Sequence, residues 1–209
     1  MLKLFFVELH RKAIHVLGSF IAVVYYFIDW DIAVTGLAII NGILLVIEWL
    51  RLSGKIRLPD ILLRPHENHQ VAAYIYFQIS ALISILIFEK TIAIAAILML
   101  ALGDTASGLA GALMNRGNVR YSRGKLMVKP LPIIAVMFAV CVITGLLLMR
   151  LPFAPDMEHF PVLVYVAGAL GATLGDAIPL RIQGRPIDDN LLIPILSGVF
   201  MTIVSLIYS

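Results

Sequence analysis

Seven long apolar stretches separated by short polar segments set the pattern of this chain, at roughly 12–28, 32–50, 71–88, 91–113, 130–149, 161–180 and 190–208. About 20 consecutive apolar residues, wound as an α-helix, match the hydrocarbon thickness of a bilayer. The pattern predicts an all-α, polytopic integral membrane bundle of about seven transmembrane helices, with its chemistry confined to helix ends and short loops. The first stretch carries charge at Glu8, Arg11 and Lys12, contains His15 and lacks a clear small-residue cleavage pattern. It therefore reads as a retained first helix.

Composition excludes the alternatives. Of the 209 residues 61% are hydrophobic and 14% charged, against roughly 45–50% and 25% in soluble domains, and mean hydropathy is +0.98. A water-soluble globule is ruled out. Seven spans of about 20 residues leave no room for a second domain, so residues 1–209 are expected to form one unit. The single cysteine, Cys141, lies inside an apolar stretch, so neither a disulfide framework nor a cysteine-based metal site can be built.

Charge gives an orientation. Of the 16 lysines and arginines, all but Lys90 and Arg150 fall in the amino-terminal segment or in the loops after the second, fourth and sixth stretches. Cytoplasmic loops hold such an excess, which places the amino terminus in the cytoplasm. The net charge of +3 reflects this bias and implies no nucleic-acid partner. A basic inner face instead attracts anionic lipid head groups or a nucleotide.

Polar groups inside apolar stretches are costly, roughly 2.5–3.5 kcal/mol for a charge at a span's centre, and so mark function. Glu8, Arg11, Lys12 and His15 stand at i, i+3, i+4 and i+7 on one helical stripe. This is either a site wall or a helix end whose cations snorkel to lipid phosphates. Asp104 follows the run Ile92–Leu102 and precedes small residues. The spacing of Gly103, Ser107 and Gly111 suits close helix packing, but the carboxylate itself calls for a Mg²⁺ ligand or a proton carrier. Leu174-Gly175-Asp176 echoes Leu102-Gly103-Asp104 at similar depth, too briefly to be a repeat.

Two loops complete the candidates. Residues 115–129 hold Arg116, Arg120, Arg123, Lys125 and Lys129 with two glycines, a composition suited to phosphate, although it has no Walker pattern. Asp188, Asp189 and Asn190 precede the last stretch; they suit a hard cation such as Mg²⁺, with helix capping as the competing role for one of them.

In order along the chain, Glu8-x-x-Arg11-Lys12-x-x-His15, Gly103-Asp104-Thr-Ala106, the basic loop ending at Lys129, and Asp188-Asp189-Asn190-Leu-x-Ile-Pro194 resemble the membrane lipid kinases that include dolichol kinase, phytol kinase and CTP-dependent diacylglycerol kinase. Glu48-x-x-Arg51 and Arg64-Pro-His-Glu67 resemble that family's charged second cytoplasmic loop. Where the family commonly has Lys-Ser and then a glycine, this chain has Lys129-Pro130 and Ile133, and Asp176 stands where a glutamate is frequent.

The resemblance implies transfer of the γ-phosphate of CTP to a lipid alcohol of the polyprenol or dolichol type, with a divalent cation. The site would face the cytoplasm from the cell membrane, or from the endoplasmic reticulum in a eukaryote. Asp104, His15 and Asp176 would be catalytic. Arg11, Lys12, Arg120, Arg123, Lys125, Lys129 and Asn190 would bind nucleotide, and Asp104, Asp188 and Asp189 the metal. The family's distant similarity to phosphatidate cytidylyltransferases gives one alternative, and a proton-coupled carrier using Asp104 and Asp176 gives another.

Overall fold

A computed structural model describes residues 2–59, 63, 67, 70–114, 121–123, 126–152, 157–182 and 185–208; at 2–11, 13, 14, 121–123, 126, 127, 182, 185 and 186 it describes the backbone alone. The helices are α1 (Leu2–Phe27), α2 (Trp30–Leu52), α3 (Ala73–Ile87), α4 (Lys90–Leu98), a π-helical segment (Met99–Asp104) running into α5 (Thr105–Leu113), α6 (Leu131–Leu148), α7 (Val162–Ala177) and α8 (Asp189–Ser205). The all-helical expectation needs one amendment. The loops after α5 and α7 form short antiparallel hairpins, β1 (Tyr121–Arg123) with β2 (Leu126–Val128) and β3 (Arg181–Ile182) with β4 (Arg185–Pro186).

Each apolar stretch coincides with a helix, but the helices differ in reach. Trp30–Leu52, Lys90–Leu113 and Leu131–Leu148 are long and apolar enough to cross a membrane, whereas Ala73–Ile87, Val162–Ala177 and Asp189–Ser205 are shorter apolar helices; in α1, the continuous stretch whose side chains are described, His15–Phe27, is apolar. The shortening has local causes. Pro161 precedes α7 and Pro179 follows it, and neither ring is compatible with a continued helix. The side chain of Asp188 caps α8 at Asn190 N. The long helix α2 ends instead where Gly54 adopts φ +72 and Gly54 N and Lys55 N donate to Arg51 O and Leu50 O, a Schellman stop that favours glycine.

The helix Lys90–Leu113 is the axis of the packing: every residue from Thr91 to Ile97 is buried, four of them alanine or threonine. Apolar helices surrounded by lipid gain little from hydrophobic contact with one another, so close backbone approach has to hold them together. Gly171 lies against the Leu196 carbonyl and Gly175 against Ile193 Cα, which brings α7 onto α8.

Successive helices alternate in direction and so define two ends. At one end Trp30 Nε1 donates to Ile85 O at 3.0 Å, Lys90 Nζ to Ile28 O at 3.0 Å and Thr91 Oγ1 to Glu158 O at 2.9 Å. The other end gathers the first half of α1, the end of α2, the starts of α3, α6 and α8, and the end of α7.

Candidate functional site

Asp104 closes the π-helical segment. A π turn takes in an extra residue and leaves carbonyls without their α-helical partners; Thr105 Oγ1 donates to Ala101 O at 2.6 Å and Cys141 Sγ to Met99 O at 3.7 Å. Gly103 is pressed against α6, where a Cβ would meet Cys141 Sγ at 2.6 Å. The packing reading of the glycine and the chemical reading of the aspartate thus hold side by side.

Lys12 Nζ donates to Asp104 Oδ2, and His15 Nδ1 lies 3.5 Å from the same oxygen. Lys12 is 2% exposed, so its ammonium faces the bundle interior and does not snorkel. Phe77 sets its ring edge-on to His15 at 5.7 Å between centroids, in space that Gly18 leaves open. The side chains of Glu8 and Arg11 lie outside the described residues.

A second ion pair adjoins the first. Lys129, between β2 and α6, donates through Nζ to Asp176 Oδ1 at 2.5 Å and to Ser107 Oγ at 3.2 Å, and Ser107 Oγ donates to Asp176 Oδ2 at 2.8 Å. Lys129 N donates to Ala177 O at 3.2 Å, tying the loop after α5 to the end of α7. Burial works against the Lys129 charge, but the carboxylates of Asp176, Asp104 and Asp189 outweigh it and hold the ammonium above the ordinary lysine range. Ser107 is three residues from Asp104 and shares its helical face; sequence reading assigned it to packing, although the i, i+3 spacing from a costly aspartate was the available signal.

Carboxylate oxygens of Asp104, Asp176 and Asp189 lie within 4.8 Å of one another. Asp104 and Asp189 of the expected metal set stand in this trio with Asp176, while Asp188 Oδ1 accepts from Asn190 N at 2.9 Å and from Asn190 Nδ2 at 2.7 Å, capping the start of α8. Asn190 is completely buried, and its Oδ1 has no hydrogen-bond partner among the described residues. Of the loop's basic residues, Lys129 alone has a described side chain; Arg116, Arg120, Lys125 and the side chain of Arg123 lie outside the described residues.

A separate polar clasp organises the same end. Arg51 grips Glu48 with Nε at 2.8 Å and Nη2 at 2.6 Å, and reaches Glu67 O at 3.0 Å and Gln70 O at 2.6 Å. Glu48 Oε1 accepts from Ala72 N and Glu67 Oε1 from Ala73 N. These carboxylates cap α3, whose own N-cap, Ala72, cannot. α3 in turn carries Phe77 to His15.

At the opposite end Glu89 caps α4 through Thr91 N and Ile92 N and accepts from Glu158 N. Burial raises its carboxyl above the usual range. Lys90 bonds Ile28 O and lies over the Tyr25 ring. These groups join helix ends and form no cluster with the aspartates.

Comparison with protein-family models, curated proteins and solved structures finds no match for this chain. The fold and site by themselves define a class: an apolar helical protein, with membrane-length helices, that gathers two buried carboxylates, a half-buried third and two buried lysines at one end.

Proposed function

We propose that the protein is a kinase of membrane lipid alcohols, transferring the γ-phosphate of CTP to a polyprenol- or dolichol-type hydroxyl at the cytoplasmic face of a seven-span bundle. The convergence of Lys12, Asp104, Lys129, Asp176 and Asp189 from distant parts of the chain carries this reading. Phosphoryl transfer needs little covalent help; it depends on positioning and on neutralising phosphate charge. A cluster of cations and hard oxygen donors is suited to both.

The donor set fits Mg²⁺. The ion takes oxygen ligands at about 2.0–2.1 Å, so two ligands of one ion stand at most about 4.2 Å apart, close to the spacing of the trio. The fully buried, unpartnered Asn190 Oδ1 is a further oxygen beside Asp189. Asp104, Asp176 and Asp189 would hold the ion, which when bound supplies charge neutralisation at the phosphates. Lys12 and Lys129 offer point charges to phosphate oxygens, with Arg11, Arg120, Arg123 and Lys125 supplying the rest. His15, beside Asp104, accepts the proton of the lipid hydroxyl, with Asp104 and Asp176 as the other candidate acceptors. An apolar cavity of about 350 Å³ between α1, α4 and α6, lined by Ala22, Val23, Ile94, Leu98 and Leu148 among others, suits a hydrocarbon tail.

The test uses purified protein, Mg²⁺, polyprenol and CTP labelled on either the γ- or the α-phosphate. Label from the γ position should enter the lipid with release of CDP, and none should enter from the α position. Entry of α-label with free pyrophosphate would replace the reading by cytidylyl transfer. Entry of neither label would favour the carrier.

A further inference from the structure

Two of the three carboxylates that suit a divalent cation are already paired with lysines. Lys12 takes Asp104 Oδ2 and Lys129 takes Asp176 Oδ1, while Ser107 bonds Asp176 Oδ2. An ammonium group and a divalent cation repel each other beside one carboxylate, and the two pairs are buried, where charges interact more strongly than in water. The lysines and a cation therefore compete for each carboxylate's charge.

We infer that Lys12 and Lys129 are exchangeable counter-ions: they compete with a divalent cation for Asp104 and Asp176, and pass to phosphate oxygens when the cation arrives with a polyphosphate. Charge supports the exchange. Three carboxylates and two ammonium groups leave one negative charge, counting His15 as neutral. A divalent ion alone would leave the lysines displaced and without acceptors, a costly outcome for buried ammonium groups. A polyphosphate provides those acceptors. Metal and polyphosphate therefore bind cooperatively, through the lysines and not only through each other. The geometry favours release without rearrangement of the backbone: Lys12 lies on α1 and Lys129 between β2 and α6, each at the end of a four-carbon stem with three rotatable donors. The inference rests on the proposed metal and phosphate site, and needs neither lipid nor turnover.

The test is equilibrium binding of Mn²⁺, with and without inorganic tripolyphosphate, to the full chain in lipid nanodiscs. For the wild type, tripolyphosphate should tighten Mn²⁺ at least about tenfold beyond the affinity of the two ligands for each other in solution. Lys12→Met and Lys129→Met, which remove the competitor, should each bind Mn²⁺ alone at least about tenfold more tightly and lose most of that cooperativity. A merely structural lysine would weaken or leave unchanged the binding of metal alone, and that result overturns the inference. Asp104→Asn and Asp176→Asn should lose Mn²⁺; wild-type affinity in both places the ion elsewhere and also overturns it. If the lysine variants do not fold, the wild type decides, since Mn²⁺ binding that is indifferent to tripolyphosphate is incompatible with exchange. Failure of lipid phosphorylation with these binding results intact would sink the kinase reading alone.

Discussion

Lys129 Nζ stands 2.5 Å from Asp176 Oδ1, joining the start of α6 to the end of α7 across 47 residues of sequence, and both side chains are almost wholly buried. Removing one partner of such a pair leaves an uncompensated charge, at a cost of about 3–5 kcal/mol, whereas replacing both by neutral groups costs far less. Lys129→Met and Asp176→Asn should therefore each destabilise the protein strongly, and the double variant should recover much of the loss in a double-mutant cycle of denaturant unfolding in detergent.

The same pair has a pH signature. The Lys129 ammonium is held above the ordinary lysine value, so its contribution to stability is fully present below that value and is lost as pH rises through the higher folded one. Unfolding curves should show an alkaline loss in the wild type that begins near pH 10 and is smaller in Lys129→Met. An identical alkaline loss in the two proteins would show that the pair contributes no such linkage.

At Asp104 the prediction separates folding from chemistry. Asp104→Asn keeps nearly the same volume and can still accept from Lys12, but it loses the charge that a divalent cation needs. Asp104→Asn strands the buried Lys12 ammonium and should cost stability as Asp176→Asn does, so the readout is turnover per folded, monodisperse molecule, and Mg²⁺-dependent transfer of γ-label to lipid should fall at least about a hundredfold on that basis. Near-wild-type turnover would reduce Asp104 to a packing residue.

Much of this arrangement was legible before folding. The apolar stretches locate every helix, because long apolar runs are the strongest pattern a chain can carry. Asp104 and Lys12 stood out because charge in such a run is expensive. What was not legible was pairing. Asp176 stands beside Asp104 and Asp189 because the end of α7 and the start of α8 meet through Gly171, Gly175 and their backbone neighbours. Adjacent aspartates at a helix start look equivalent in sequence, and only the cap geometry divides them. The π-helical segment was likewise hidden, since its residues have no composition of their own; it is defined by its backbone hydrogen-bond pattern. Helix length was overestimated for α3, α7 and α8; at α7 the bounding prolines, Pro161 and Pro179, account for it.

Close packing predicts a contrast among glycines. A Cβ at Gly171 would collide with the backbone carbonyl of Leu196, which cannot turn aside, whereas nothing lies within 4 Å of one at Gly36 or Gly42. Gly171→Ala should cost about 1–3 kcal/mol by overpacking. Gly36→Ala and Gly42→Ala should be neutral or stabilising by up to about 1 kcal/mol, because alanine restricts the unfolded chain and favours the helix. Thermal unfolding of the three variants in one detergent gives the comparison. Equal destabilisation at all three would contradict the α7–α8 contact.

Orientation follows from which end of the bundle holds the cations. Lys90 and Arg150 belong to the end where Lys90 bonds Ile28 O, and the lysines of the carboxylate cluster and Arg51 belong to the other. Positive residues flanking spans are retained in the cytoplasm, so the cluster should face inward. The only native thiol, Cys141, is completely buried and contributes little background to single-cysteine labelling. Ser53→Cys and Ser122→Cys should react with a membrane-impermeant maleimide only after cells are permeabilised, and Ala154→Cys should react in intact cells. Labelling of Ser122→Cys from outside would turn the loop before Lys129 away from cytoplasmic CTP, and the kinase reading would lose its donor.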